Sequence, residues 1–123
     1  MAQRFLKIAV VYLFVGALLG IAMGIFQNFA LVPVHAHIGL LGWATLALAG
    51  VIYHLHPAAA KTRLAQLHFW IHNLALPVFM IGLSIYLSGH PAFMGVVIVA
   101  ALLVLLGLAL FMVNILSNVK TTT

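Results

Sequence analysis

The sequence predicts an all-α integral membrane protein built as one four-helix unit, and two observations support that fold class. Of the 123 residues, 67% are hydrophobic and only 4% are charged, whereas soluble domains carry about 25% charged residues. The apolar residues also form four separate runs, each matching the ~20 residues that a helix needs to cross a bilayer core. We therefore expect a single transmembrane domain over residues 1–123.

The four predicted spans cover approximately residues 8–29, 34–54, 67–87 and 93–115. The first is long enough to be a permanent helix, and not the short apolar core of a signal peptide. Pro33 precedes the second span and suits the first turn of a helix, where its missing N–H is not needed. Pro57 and Pro91 lie in the connections before and after the third span, where proline commonly interrupts a helix.

Basic residues indicate how these spans are oriented. All five lie on one side of the four-span layout, at Arg4, Lys7, Lys61, Arg63 and Lys120. The positive-inside rule then places both termini and the second connection in the cytoplasm. The net charge of +5 suits contact with anionic lipid head groups. We expect a multi-pass protein of the bacterial inner membrane and no nucleic-acid partner.

The composition also limits the chemistry. The chain contains no Asp, Glu or Cys, which excludes carboxylate acid–base catalysis, carboxylate-bridged metal pairs, thiolate haem ligation and iron–sulfur clusters. Seven histidines remain. Any chemistry is therefore expected to depend on histidine, and no catalytic residue is assigned.

His35 and His37 are the most informative pair. At 100° per residue they diverge by about 200° and point to opposite sides of the second span. One metal cannot easily be bound by both, so each is expected to have its own cavity. Gly39 and Gly42 follow on the His35 face and leave a flat surface that suits a porphyrin. The alternative is that both imidazoles hydrogen-bond carbonyls or water at the membrane interface.

The other histidines are less specific. His68 and His72 share one helical face and have the spacing of a metal-binding pair, but the preferred interpretation places them at the head-group interface. His54 and His56 are interpreted in the same way, and His90 falls in the last connection. We interpret the aromatic residues Trp43, Tyr53 and Trp70 as belt or packing residues, and the stripe Gly16, Gly20 and Gly24 as a helix-packing surface.

One segment resembles a known family. The run Val34-His35-Ala36-His37-Ile38-Gly39-Leu40-Leu41-Gly42-Trp43, continuing through Gly50-Val51-Ile52-Tyr53 to Pro57, resembles the tenth helix of the catalytic subunit of haem-copper oxidases, in the branch of C-type cytochrome oxidases and nitric-oxide reductases. The stretch from His68 resembles the start of the eleventh helix. In that family the two histidines ligate two neighbouring haems. The resemblance implies that His35 and His37 bind haem iron, with Gly39 and Gly42 beside the cofactor.

The resemblance also implies an assembly. Family subunits have twelve spans arranged as three four-helix arcs around three pores, and this chain resembles one arc. A homotrimer would restore the ring, in keeping with the preference for closed symmetry. Each pore would then bind one haem b between His35 of one chain and His37 of the next. A dimer with His90 or Met23 as the other axial ligand is the alternative.

These observations predict a membrane haem b protein. It would act as a cytochrome b in electron transfer, with a redox partner protein, or as a module that binds haem or a diatomic gas. Reduction of oxygen or nitric oxide is not expected, because the further histidines and carboxylates of a second metal site are missing. Two alternatives remain: a histidine-based copper or zinc handling or assembly protein on the same fold, and a structural accessory subunit. The resemblance alone assigns no enzymatic activity.

Overall fold

The computed structural model describes residues 1–120, which form four long helices. These are α1 (Ala2–Phe26), α2 (Val32–Leu55), α3 (Arg63–Leu87) and α4 (Met94–Asn118). A single helical turn, Pro57–Ala60, lies between α2 and α3, and a 3₁₀ turn, Pro91–Phe93, leads into α4. Each of the four is long and apolar enough to span a membrane. The all-α class and the four spans are thus confirmed.

The helix boundaries differ from the edges of the apolar runs. The first helix begins at Ala2 instead of residue 8, because Arg4 and Lys7 lower the hydropathy but favour helix. It ends at Phe26, since Gln27 adopts a left-handed conformation (φ 52°) and donates from Nε2 to the Gly24 carbonyl oxygen at 2.7 Å. The third begins at Arg63, since the Thr62 hydroxyl oxygen accepts from the Ala65 N–H at 3.1 Å as an N-cap.

Prolines mark three helix starts. Pro33, Pro57 and Pro91 each lie in the first turn of a helical segment. The sequence predicts this position for Pro33, whereas it predicts Pro57 and Pro91 in the connections, where they begin short helical turns. Pro77 lies inside α3, where a proline removes one backbone hydrogen bond. Neighbouring helices support such a residue in a membrane bundle.

The second helix changes its hydrogen-bonding pattern in the middle. Val32–His37 and Thr45–Leu55 are α-helical, but Ile38–Ala44 between them is π-helical. There the Thr45 N–H and its hydroxyl both donate to the Leu40 carbonyl, the hydroxyl at 2.7 Å. Such segments are rare and frequently occur at functional sites. This one begins directly after His37.

The helices pack mainly as two hairpins, with α1 along α2 and α3 along α4. Close approach in the first hairpin depends on Gly50, where a Cβ would lie 2.7 Å from Leu6 Cγ. One buried cluster lies near both termini and contains Phe5, Ala9, Leu46, Ala49, Tyr53, Ala59, Ala65 and Phe69. A second lies towards the opposite end and contains Val34, Ile38, Ala75, Leu76, Phe79, Met80, Ala100 and Val104. Most other large apolar side chains are exposed, as lipid-facing residues would be.

Candidate functional site

His35 is held against α1. Its Nδ1 lies 2.9 Å from the Gly16 carbonyl oxygen, and its ring lies over Gly20, where a Cβ would be 2.8 Å from His35 Cε1. Gly16 and Gly20 therefore do more than pack two helices. The Gly16 carbonyl accepts a hydrogen bond from the imidazole, and the missing side chain of Gly20 leaves space for the ring. Gly24, the third glycine of the stripe, has no such neighbour within 4 Å.

His37 is directed elsewhere. Its Nδ1 lies 2.6 Å from the Pro33 carbonyl oxygen, one turn earlier in α2. Its ring packs edge-on against Phe79 of α3, with the centroids 5.3 Å apart. The two imidazoles thus contact different neighbouring helices, as their angular separation predicts, and α2 stands between them.

The two carbonyl contacts determine which nitrogen of each imidazole carries the proton. A carbonyl oxygen only accepts hydrogen bonds, so Nδ1 must carry the proton in His35 and in His37 when either ring is neutral. Nε2 then bears a lone pair, and in both rings it makes no hydrogen bond within residues 1–120. A histidine that donates from one nitrogen to a carbonyl and presents the other is the usual arrangement of a metal-ligating histidine.

The surface beside His35 is a groove between α1 and α2. It has a volume of about 490 Å³ and is lined by His35, Tyr12, Gly16, Gly39 and Trp43, among others, a size typical of ligand sites. Gly39 has no atom within 4 Å of the position of a Cβ. Gly42 does not belong to this surface, because Tyr12 covers it and a Cβ there would lie 2.5 Å from Tyr12 Cγ. Of the two glycines predicted to form a flat surface beside His35, only Gly39 does so.

A second group of polar residues lies in the bundle interior near the termini. His68, His72 and Asn114 are each 0% exposed. The Tyr53 hydroxyl lies 3.0 Å from His68 Nδ1, and Asn114 Nδ2 donates to the same hydroxyl at 3.4 Å and to the Ala59 carbonyl at 3.0 Å. We call these four residues, His68, His72, Tyr53 and Asn114, the buried polar cluster.

His68 is enclosed by all three other helices. Its ring stacks between Phe5 of α1, at 5.0 Å between centroids, and Phe111 of α4, at 4.6 Å. Tyr53 of α2 supplies the hydrogen bond described above. His72 lies one turn later in α3, and its Nε2 lies 2.9 Å from the Leu41 carbonyl oxygen in the π-helical segment.

Tyr53 packs in the buried core, as predicted, and its hydroxyl also contacts His68. The interpretation of His68 and His72 as interfacial side chains is wrong, because both are buried inside the bundle. The sequence contained a signal that could have corrected both. Polar residues within membrane spans almost always face the bundle interior, and Asn114 is such a residue in the last span. By contrast, His54 is exposed and His56 is partly exposed near the second connection. His90 is also exposed, with Nδ1 3.2 Å from the Ile85 carbonyl oxygen.

Within residues 1–120, no three or more His, Cys, Asp or Glu side chains come together as a metal site. No known family, curated protein or solved structure matches the chain. The resemblance to haem-copper oxidases accordingly rests on the residues quoted above.

Proposed function

We propose that the protein is a membrane cytochrome b in which His35 and His37 provide axial ligands to haem iron. The observation that carries the proposal is the matched pair of imidazoles, each donating from Nδ1 to a backbone carbonyl and leaving Nε2 without a hydrogen bond within residues 1–120. The open groove beside His35, with Gly39 at its surface, supports a flat ligand. Bound haem would supply one-electron chemistry and, with an open axial position, gas binding.

Haem suits the available donors better than copper or zinc. A zinc site needs three or four protein ligands, whereas His35 and His37 offer one or two imidazoles to a single site. Haem supplies four nitrogens of its own, so that one or two imidazoles suffice. The sequence also lacks cysteine and has no methionine-rich motif, and these soft ligands usually bind copper(I).

A haem with two histidine ligands requires two copies of the chain. His35 contacts α1 and His37 contacts α3, so the two imidazoles of one chain do not face one iron. We therefore propose a homotrimer that holds each haem b between His35 of one copy and His37 of the next. Within it, each chain positions its two ligands through the carbonyls of Gly16 and Pro33.

The first experiment is the visible spectrum of protein expressed with ample haem and purified in detergent. We expect a haem b spectrum that His35→Ala and His37→Ala each abolish, and that His54→Ala leaves intact because His54 is exposed. Carbon monoxide should leave the reduced spectrum unchanged if both axial positions are filled. A colourless wild-type protein, or a normal spectrum in either ligand variant, would contradict the proposal.

The shared site has a test of its own. His35→Ala and His37→Ala chains carry different intact ligands, so a mixed trimer contains some complete pairs. Random assembly of equal amounts should restore about a quarter of the wild-type haem content. Mixing that restores nothing, while wild-type protein binds haem, would contradict a site shared between chains and leave the ligand assignment intact.

The proposal includes a location in the bacterial inner membrane, with both termini in the cytoplasm. All five basic residues lie at or near the end of the bundle that contains the termini, in keeping with the positive-inside rule. A soluble or membrane-bound redox partner would then exchange electrons with the haem.

A further inference from the structure

The buried polar cluster contains two ring nitrogens that the proposed haem site does not use. His68 Nε2 and His72 Nδ1 are both buried and have no hydrogen-bond partner within the described residues. An unpaired polar atom in an apolar interior is costly, and in native proteins such atoms usually bond to another group or to ordered water. The chemistry of each nitrogen follows from the partner of the other nitrogen on the same ring.

His72 presents an acceptor. Its Nε2 faces the Leu41 carbonyl oxygen at 2.9 Å, and because a carbonyl cannot donate, that nitrogen carries the proton. Nδ1 of a neutral His72 is then a bare lone pair.

His68 presents a donor. The Tyr53 hydroxyl oxygen already accepts from Asn114 Nδ2 at 3.4 Å. The Tyr53 hydroxyl therefore donates its proton to His68 Nδ1, which lies 3.0 Å away. The opposite assignment would leave the hydroxyl proton without an acceptor among the described residues. His68 therefore carries its proton on Nε2, and that N–H is the group without a partner.

The two groups are complementary and adjacent. His68 and His72 are one helical turn apart, with ring centroids 5.7 Å apart and planes at 83°. We propose that one enclosed water molecule bridges them, accepting from His68 Nε2–H and donating to His72 Nδ1. A metal ion does not suit this site, because it needs a lone pair from both imidazoles and the cluster offers only one.

The bridge completes a hydrogen-bonded chain through the bundle. Asn118 donates to Asn114, Asn114 to Tyr53, Tyr53 to His68, and the water connects His68 to His72 and so to Leu41. This chain links α4, α2 and α3 and ends on the π-helical segment that follows His37.

Solid-state NMR of ¹⁵N-histidine-labelled protein in lipid bilayers tests the proposal, with His68→Phe and His72→Phe for assignment. We expect both residues to be neutral with the proton on Nε2, and magnetisation transfer from water to the ring nitrogens of both. A proton on His68 Nδ1 would overturn the proposal. So would the absence of water transfer at both rings when exposed His54 shows it.

A conservative variant tests whether the Tyr53 hydroxyl, and not burial alone, determines which His68 nitrogen carries the proton. Tyr53→Phe removes only the hydroxyl and keeps the ring that packs against Phe5 and Phe111. We expect the His68 Nδ1 signal to move to that of a nitrogen without a hydrogen bond, while His72 keeps its shift. Adding Zn²⁺ should move neither ring, and a zinc-induced shift at both would identify a metal site instead.

Discussion

At the scale of single residues, His35 and His68 show two ways of holding an imidazole in an apolar bundle. His35 uses one nitrogen for the Gly16 carbonyl, leaves the other without a hydrogen bond within residues 1–120, and lines a groove between α1 and α2. His68 is closed in by two phenyl rings and bonds to a hydroxyl. The first arrangement suits a ligand that arrives from outside the chain, whereas the second suits a structural network.

Gly20→Ala tests how far α1 positions His35. A Cβ at residue 20 would lie 2.8 Å from His35 Cε1, so the ring must move and its bond to Gly16 must weaken. We expect about tenfold weaker haem binding, the lower end of what loss of such support costs a metal site, measured by haem titration. Gly24→Ala is the matched control, since nothing lies within 4 Å of its Cβ. Equal affinities in both variants would show that Gly20 does not position the ligand.

Asn114→Ala tests the buried polar cluster. The variant removes the donor to the Ala59 carbonyl and the Tyr53 hydroxyl. Hydrogen bonds between membrane helices contribute about 0.6 kcal/mol on average. With a carbonyl left unpaired as well, we expect about 1–2 kcal/mol of lost stability, measured by unfolding in mixed micelles. Asn118→Ala, which loses one bond from a partly exposed side chain, should cost less, and an equal cost would argue against the cluster.

Sequence reasoning located His35 and His37 correctly on opposite sides of one helix because helical geometry alone fixes that angle. It did not find the Gly16 carbonyl as a partner or Tyr12 over Gly42, because both depend on which face of α1 meets α2. His68 and His72 follow Lys61 and Arg63 closely in the sequence, which favours the head-group interface, but they lie inside the bundle because polar residues within spans face inward.

At the scale of helices, hydropathy predicted all four spans but not the π-helical segment. The apolar run is equally compatible with α and π hydrogen bonding, and composition does not distinguish them. Capping by Thr62 and the left-handed Gln27 moved two helix ends away from the edges of the apolar runs. Pro33 marked a helix start correctly, because proline fits the first turn of a helix, but Pro77 lies inside α3 and marks no boundary.

Deleting Leu40 tests the π-helical segment. A π-helical segment accommodates an inserted residue, so the deletion should restore α-helical bonding. The half of α2 that carries His35 would then rotate by about 100° relative to the half that carries Tyr53. We expect haem binding to be lost by absorbance, while circular dichroism shows an unchanged helix content. Leu40→Ala keeps the helical register but shortens a side chain that lines the groove beside His35, so it should lose much less haem binding than the deletion. A deletion variant that bound as much haem as Leu40→Ala would contradict a positioning role for the segment.

At the scale of the whole molecule, the absence of cysteine makes the orientation directly measurable. Single variants Ser88→Cys and Ala58→Cys place one thiol in the connection after α3 and one in the connection before it. We expect a membrane-impermeant maleimide to label the first in intact cells and the second only after lysis, because basic residues flank the second connection. The reverse labelling pattern would contradict the proposed topology.

His68 has a consequence for how the chain comes together. It belongs to the second hairpin, yet its ring contacts Phe5 and Tyr53 of the first. Each hairpin contains two helices long and apolar enough to span a membrane, so we expect each to insert by itself and the two to dock afterwards, with the His68 ring packing between Phe5 and Phe111. The protein should accordingly tolerate being split: co-expressed fragments cut at Lys61 should reassociate in the membrane, and replacing His68 should impair their pairing more than it impairs the insertion of either half.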